Sequence, residues 1–339
     1  MKRIRLKDEL KNKNTKIQGL LTVGREDVLL PVTVICGKEE GKTVLVTGGI
    51  HNAEYVGIQA AITLAEALVP AEITGRIVIL PLVNTTGFEH RTMSLVYEDG
   101  KNLNREFPGN PDGTLAQQIC YFIEKEVFSE IDYYIDLHCG DGFEALAPYV
   151  YCQGKASEEV CRMSEQMARQ VQVPYIVQSQ SGTGGAYNYA GALGIPGILL
   201  ERGNMACWSP EEVEADVQDV KRILRLLEVL PEAQEASETV KKNTSPKVLI
   251  TEAIYQGAEK AGCWYPRFKP GQTAEKGEIL GEIRDYFGQV LEVHRASETC
   301  VILYQIGSLT VQKQETVIAY GKICEEQLEL LTKAQEEDR

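Results

Sequence analysis

The chain has 339 residues, of which 43% are hydrophobic and 25% are charged, a composition typical of a globular protein. This length favours two domains, because one domain takes roughly 100–200 residues. The formal net charge is -14. No Lys/Arg-rich run provides the basic stripe that a nucleic-acid surface requires, so we expect no nucleic-acid partner.

The N-terminal stretch is basic but no apolar segment follows it, so it does not resemble a secretory signal. The longest apolar runs, such as residues 77–83, are far too short to cross a bilayer. The cysteines are scattered and form no Cys-x-x-Cys pair, which favours reduced thiols over a disulfide framework. The sequence therefore predicts a cytoplasmic protein without a membrane partner.

From about residue 43 to residue 230, short apolar strands alternate with helical segments, a pattern typical of α/β layer folds. Short apolar runs bounded by Gly and Pro indicate buried strands. In chain order we predict a strand at 43–47, a helix at 54–68, and strands within 76–84, at 132–137 and at 197–200.

The character of the sequence changes after a polar segment at 232–246, which we interpret as a linker or a helix end. From 248 to about 323, short strands alternate with frequent turns, which indicates a small all-β module. The last residues are charged and favour a fraying surface helix. We therefore divide the chain into an α/β domain at 1–240, a β-rich capping domain at 246–323 and a charged tail at 324–339.

Two of the four histidines occupy positions where metal ligands are expected. His51 follows the first predicted strand, and Glu54 lies three residues later at the start of the helix, so both side chains face one side of its first turn. His138 follows another strand, and the active crevice of an open α/β sheet lies outside the carboxyl ends of its strands. Two imidazoles and one carboxylate, with a fourth position for water, form a catalytic zinc site.

A His-x-x-Glu pair by itself is more often a solvated helix start than a metal site. Convergence of strand ends favours the metal site here. Glu201 follows the strand at 197–200, and Asn84 ends the strand within 76–84. The segment after Asn84 carries Arg91, Asn104 and Arg105. An apolar strand that ends in Glu-Arg is also compatible with a plain exit to the surface.

Four motifs occur in order and carry a resemblance to a known family. They are Gly48-Gly-Ile-His51-Asn-Ala-Glu54, Asn102-Leu-Asn-Arg105-Glu-Phe-Pro-Gly109, Asp136-Leu-His138 and Gly194-Ile-Pro-Gly-Ile-Leu-Leu-Glu201. The chain resembles the succinylglutamate desuccinylase/aspartoacylase family, a branch of the zinc carboxypeptidase-like fold. The resemblance covers residues from about 40 to 230 and extends into the β-module. It implies a three-layer α/β/α domain with a mixed sheet, and a smaller C-terminal domain similar to a barrel-sandwich hybrid.

The resemblance also implies roles for the candidate residues. His51, Glu54 and His138 would hold Zn²⁺, and Glu201 would be the general base that moves a proton from water to the leaving nitrogen. Arg91 would stabilise the oxyanion of the intermediate. Asn104 and Arg105 would bind a carboxylate of the substrate.

Two of the assignments have plain alternatives. The spacing of Arg91 suits a solvated loop arginine equally well. Asp136 would either orient a metal ligand or serve as a buried hydrogen-bonding residue.

Three functions remain open at this point. The first is deacylation of a small N-acyl amino acid, the second is carboxypeptidase action on short peptides, and the third is metal binding without catalysis. Glu201 argues against the third, because a binding site needs no base. The β-module argues against the second, because it would restrict entry to small substrates. The expected partner is a small carboxylate substrate; a homo-oligomer is compatible with the sequence.

Overall fold

The structure is a computed structural model that describes residues 1–24, 28–232 and 247–337. In chain order the strands are β1 (Thr15–Thr22), β2 (Leu29–Cys36), β3 (Glu39–Gly48), β4 (Thr74–Leu80), β5 (Tyr133–His138), β6 (Glu144–Leu146), β7 (Tyr149–Gln153), β8 (Tyr175–Ser179), β9 (Gly197–Glu201), β10 (Val248–Ile250), β11 (Ala253–Gly257), β12 (Gly262–Pro266), β13 (Thr273–Ala274), β14 (Ile279–Arg284), β15 (Val290–Arg295), β16 (Cys300–Ile306), β17 (Thr310–Val311) and β18 (Thr316–Lys322). The helices are α1 (Leu6–Glu9), α2 (Tyr55–Ala67), α3 (Thr85–His90), α4 (Leu115–Phe122), α5 (Glu158–Gln170), α6 (Ala186–Ala192), α7 (Pro210–Leu226) and α8 (Glu325–Glu337).

A nine-stranded mixed sheet, in the order β1-β2-β4-β3-β5-β9-β7-β8-β10, forms the centre of the first part of the chain. Successive side chains of a strand point to opposite faces, so each face builds its own core. In β3, Leu45 packs into the core formed with α1, α4 and α6. Its neighbours Val44 and Val46 pack into the core formed with α2, α5 and α7. The predicted three-layer α/β/α arrangement with a mixed sheet is confirmed.

The strands that carry the candidate site lie side by side at the middle of this sheet. β3, β5 and β9 are parallel, with Thr47 opposite Asp136 and His138 opposite Glu201. Their carboxyl ends therefore meet at one edge, where β3 passes through a short loop into α2. Glu54 occupies the N-cap position of α2.

One predicted strand end was wrong. β4 ends at Leu80, and Asn84 instead caps α3 through a side-chain oxygen that accepts a hydrogen bond from the Gly87 amide at 3.1 Å. Asn84 is fully buried and also donates to Asn52 at 3.0 Å. Asparagine satisfies the unpaired amides of a helix start, which is the physical reason for its position.

The C-terminal part forms two antiparallel sheets, as the turn-rich sequence predicted. The first has the order β11-β18-β16-β13 with β6 added to β16, and the second has the order β15-β14-β12-β17. Trp264 and Ile283 from the second sheet share one buried core with Ile302 and Tyr320 from the first. Side chains of both sheets thus fill the space between them.

The two parts of the chain are joined by exchanged strands. β6 comes from the first part but pairs with β16, and β10 follows the predicted linker but pairs with β8 of the nine-stranded sheet. Leu146, Ile250 and Leu303 lie in one buried cluster at this junction, which also includes Leu331 of α8. The shared strands and core fix the C-terminal sheets relative to the strand ends of the first sheet.

Some features fall outside the predictions. The N-terminal hairpin of β1 and β2 was not predicted, because its first strand is partly exposed and does not form a continuous apolar run. The predicted linker at 232–246 lies outside the described residues apart from Glu232. Within the described part of the chain, no helix has the length and apolar character needed to cross a membrane.

Candidate active site

Both candidate histidines present the same ring atom to Glu54. The Nδ1 atom of His51 lies 2.7 Å from Glu54 Oε1, and the Nδ1 atom of His138 lies 2.8 Å from Glu54 Oε2. One ligand atom from each of the three residues lies within 4.8 Å of the other two. These distances make the cluster a compact group of three potential metal ligands. His138 and Glu54 are also buried.

The opposite ring nitrogen of each histidine faces a side-chain oxygen. His51 Nε2 lies 3.0 Å from Asn102 Oδ1 in a hydrogen bond, and His138 Nε2 lies 3.1 Å from Asp136 Oδ2 in an ion-pair contact that is not aligned as a hydrogen bond. An oxygen in that position favours the tautomer with its proton on Nε2, which leaves the Nδ1 lone pair directed inward. Asp136 accepts a hydrogen bond from the Thr47 hydroxyl at 2.6 Å. Asp136 is therefore a buried hydrogen-bonding residue, and its role in orienting a metal ligand stays a prediction.

The cluster fits a divalent cation better than it fits a set of hydrogen bonds. Glu54 Oε2 is buried and, despite its short distance to His138 Nδ1, has no well-aligned hydrogen-bond partner among the described residues. An imidazole lone pair and a carboxylate lone pair that converge on one point suit a metal ion. A cation between them would satisfy the oxygen that the protein leaves without a partner.

The charges of this cluster are strongly interdependent. Burial alone would raise the pKa of Glu54, but the imidazoles of His138 and His51 outweigh it and lower this pKa to about 2. Burial alone would lower the pKa of His138, but Glu54 and Asp136 raise it well above the ordinary value. Burial alone would also lower the pKa of His51, but the charge of Glu54 and its hydrogen bond raise it above the ordinary value. An imidazole binds a metal ion through a lone pair, so metal binding would compete with protonation of both histidines.

The cluster opens into a cavity of about 720 Å³. Glu201 lines this cavity from the end of β9, next to His138 on β5. Burial, followed by the charge of Glu54, raises the pKa of Glu201 well above its ordinary value. A carboxyl group that holds its proton more tightly than usual is suited to proton transfer near neutral pH.

Asn104 and Arg105 line the same cavity from a short 3₁₀ turn, Leu103–Arg105. Asn104 Oδ1 accepts a hydrogen bond from the Ala186 amide of α6 at 2.8 Å, which fixes the side chain in place. Arg105 is exposed to the cavity mouth, and its Nη1 donates to the Asn104 carbonyl oxygen at 2.8 Å. No carboxylate of the described residues pairs with this guanidinium, so its charge is available to an anionic ligand.

The model of the succinylglutamate desuccinylase/aspartoacylase catalytic domain matches residues 40–227 of the chain. The protein belongs to this family. The match covers the strands and loops that hold His51, Glu54, Asn104, His138 and Glu201, and it ends before the C-terminal sheets.

Individual relatives agree with this assignment. The N-alpha-acetyl-L-2,4-diaminobutyric acid deacetylase of Halomonas elongata is 34% identical over 152 residues, which is 44% of this chain and 43% of that protein. The match thus spans less than half of the relative.

Two solved structures share the fold over nearly their whole length. The ectoine utilization protein EutE (DoeB) of Ruegeria pomeroyi has a TM-score of 0.80 at 22% identity, covering 92% of this chain and 97% of that one. A succinylglutamate desuccinylase/aspartoacylase of Rhodobacter sphaeroides has a TM-score of 0.77 at 23% identity, covering 91% and 96%.

The structure brings together every sequence-predicted site residue of this family member except Arg91. Arg91 ends α3 in the left-handed conformation with a φ of 56°, and its side chain is exposed. It is not among the residues that line the cavity. The left-handed residue ends the helix, and the chain then returns to the site, where the Met93 carbonyl oxygen accepts a hydrogen bond from the Ala53 amide at 2.9 Å.

Several residues of the cavity wall were not identified from the sequence. Glu144 follows β5 by a loop, and Tyr151 lies on β7. Tyr255 and Tyr304 come from the C-terminal sheets, and the hydroxyl groups of Tyr151 and Tyr255 lie 2.5 Å apart. Asn102 was read only as part of a motif. No spacing rule joins these residues, because Tyr255 and Tyr304 reach the cavity only through the docking of the two parts of the chain, and the others depend on how loops and strands of the first part are arranged.

Proposed function

We propose that this protein is a zinc-dependent hydrolase that cleaves the amide bond of a small N-acyl amino acid. The observation that carries the proposal is the convergence of both histidine Nδ1 atoms on the Glu54 carboxylate, at distances of 2.7 and 2.8 Å, inside a cavity lined by Glu201. Membership of the succinylglutamate desuccinylase/aspartoacylase family supports it.

Zinc suits two imidazoles and one carboxylate, and three protein ligands leave a position for water. When bound, zinc would lower the pKa of water to about 7 and polarise the scissile carbonyl. His51, Glu54 and His138 would hold the ion, while Asn102 and Asp136 keep the two imidazoles in the required tautomer.

Glu201 would act as the general base and then as the general acid. Its carboxylate lies at the cavity wall beside His138, where it would accept the proton of the attacking water and deliver it to the leaving amide nitrogen. The raised pKa of Glu201 supports both steps, since a stronger base takes the proton more readily and then holds it until it is delivered to the nitrogen as the C–N bond breaks.

Arg105 and Asn104 would bind the α-carboxylate of the substrate. Arg105 offers a planar fork of donors, and it has no ion-pair partner among the described residues. Asn104 Oδ1 is occupied by the Ala186 amide, so its Nδ2 donor is the group left for a ligand. The oxyanion role of Arg91 stays a prediction, because its side chain lies outside the cavity lining.

The shape of the cavity favours deacylation over cleavage of long peptides. Tyr255, Tyr304 and Thr316 of the C-terminal sheets line one side of it, so the site is walled rather than open along a groove. The Halomonas elongata relative is named as a deacetylase of an N-acetylated amino acid, which supports the same choice. Carboxypeptidase action on short peptides is the alternative that the same residues would permit.

A substrate panel tests the proposal directly. Zinc-loaded protein would be assayed with N-acetyl and N-succinyl amino acids, with dipeptides and with peptides of about ten residues, by detection of the released amine. We expect hydrolysis of small N-acyl amino acids, loss of activity after chelation, and recovery on addition of zinc. Efficient cleavage of the long peptides would favour the carboxypeptidase. Inactivity on the whole panel, with zinc bound, would contradict the hydrolase assignment.

A further inference from the structure

The charges of the cavity wall are unevenly distributed. Among the described lining residues, Arg105 is the one Lys or Arg, whereas Glu144 and Glu201 are acidic in addition to the presumed ligand Glu54. Arg105 matches one carboxylate. A second carboxylate on the substrate would have no further arginine or lysine of the described lining to pair with. It would instead lie near Glu144 and Glu201, whose negative charge would repel it.

Glu144 has a rigid position that no proposed catalytic step uses. It begins β6, which is paired with β16 so that Glu144 lies opposite Ile306. Its Oε2 accepts a hydrogen bond from the Asp141 amide at 3.2 Å. No lysine or arginine of the described residues forms an ion pair with it. The carboxylate is thus held by a neutral backbone donor and lines the cavity without a cationic partner among the described residues.

A partly buried carboxylate without an ion-pair partner is costly, because it loses much of its hydration and no Lys or Arg beside it offsets its charge. Burial, followed by the charges of Asp141 and Glu54, raises the pKa of Glu144 to about 7. A ligand ammonium beside Glu144 would relieve this cost by forming a charge-assisted hydrogen bond in a desolvated position.

We propose that Glu144 binds an ammonium group on the side chain of the amino acid, so that the substrates are N-acyl derivatives of basic rather than acidic amino acids. This inference rests on the proposed amide hydrolysis at the same site. Arg105 then selects the α-carboxylate and Glu144 selects the side-chain charge, so Glu144 is a specificity-determining residue.

Matched substrates test this selection in the wild-type protein. The basic members are the Nα-acetyl derivatives of L-2,4-diaminobutyrate and L-ornithine, and the isosteric neutral members are those of L-norvaline and L-norleucine. The acidic members are those of L-aspartate and L-glutamate. A charge-assisted hydrogen bond predicts a kcat/KM for the basic member that exceeds that of its neutral partner roughly 10- to 100-fold. The acidic members should be the poorest substrates.

The variant Glu144→Gln keeps the size of the side chain and removes its charge. We expect the basic-to-neutral ratio of kcat/KM to fall by about the same 10- to 100-fold. Glu282→Gln is the control, because Glu282 is likewise a glutamate with little exposure to solvent, but it pairs with Arg267 and Arg284 outside the cavity lining. This control should leave the ratio unchanged.

The outcomes separate the inference from the function on which it rests. Equal or better hydrolysis of the acidic members by the wild type, or an unchanged ratio in Glu144→Gln, would overturn the role of Glu144 while leaving amide hydrolysis in place. If no member is hydrolysed, the proposed function fails. Calorimetric binding of free L-ornithine against L-norleucine then decides about Glu144: tighter binding of ornithine that Glu144→Gln abolishes supports it, and equal binding contradicts it.

Discussion

Replacing Asp136 by asparagine should weaken zinc binding without removing any ligand. Asp136 is fully buried, its Oδ2 lies 3.1 Å from His138 Nε2, and its Oδ1 accepts the Thr47 hydroxyl at 2.6 Å. Asparagine preserves the size of the side chain and an oxygen for Thr47. It removes the negative charge that, together with Glu54, raises the pKa of His138 against the opposing effect of burial.

The size of the effect follows from this geometry. Loss of an outer partner of a metal-ligating histidine lowers metal affinity by about 10- to 100-fold, which corresponds to about 1.4–2.7 kcal/mol of binding free energy. The contact is fully shielded from solvent, so salt screening does not reduce its contribution. We therefore expect the zinc dissociation constant of Asp136→Asn to increase within that range, while the three ligands still bind one ion.

Competition with a chromophoric zinc chelator at fixed pH measures this change. Asp132→Asn is the control, because Asp132 directly precedes the same strand at the end away from the site, where its Oδ2 accepts the Thr43 amide at 2.8 Å. Thermal unfolding of the metal-free proteins separates a loss of fold stability from a loss of affinity. Zinc affinity equal to the wild type in a folded Asp136→Asn protein, or an equal loss in the control, would refute the reasoning.

Three further substitutions address the other roles. His138→Ala removes one of the three ligands and should abolish stoichiometric zinc and activity together, as measured by metal analysis; full occupancy would exclude His138 as a ligand. Glu201→Gln should retain zinc and the fold but lose about 10²- to 10⁴-fold in kcat, as expected for a missing general base; near wild-type turnover would remove Glu201 from the mechanism. Arg105→Ala should raise KM or lower kcat/KM for free-acid substrates and affect their α-amides much less; equal losses on both would disprove the carboxylate role of Arg105.

Local sequence was sufficient to predict the grouping of the three potential metal ligands and the central strands. His51 and Glu54 are three residues apart at the junction of β3 and α2, so their proximity follows from one loop and the first turn of one helix. His138 and Glu201 each end a short apolar strand. Because these strands are parallel neighbours, their final residues meet at the same edge of the sheet.

Sequence spacing was not sufficient where a side chain depends on the exact course of the loop that carries it. Arg91 follows a six-residue helix and adopts a φ of 56°, and its exposed side chain is not among the residues that line the cavity. Asn84 appeared to end a strand, yet β4 stops at Leu80 and Asn84 caps the next helix. In both cases the residue type was informative, but the direction of the side chain depended on the backbone conformation.

The amino-acid sequence by itself determined the three-layer domain, the all-β character of the C-terminal part, and the positions of the three potential ligands and of Glu201. Only the tertiary structure decided which distant residues complete the cavity. Asn102 reaches His51 across 51 positions, and Tyr255 meets Tyr151 across 104. The first contact depends on the course of the loop before the 3₁₀ turn Leu103–Arg105, and the second depends on the docking of the two parts of the chain through β6, β10 and their shared core. Periodicity and motif spacing describe local conformation, whereas this docking depends on the burial of surfaces that are far apart in sequence.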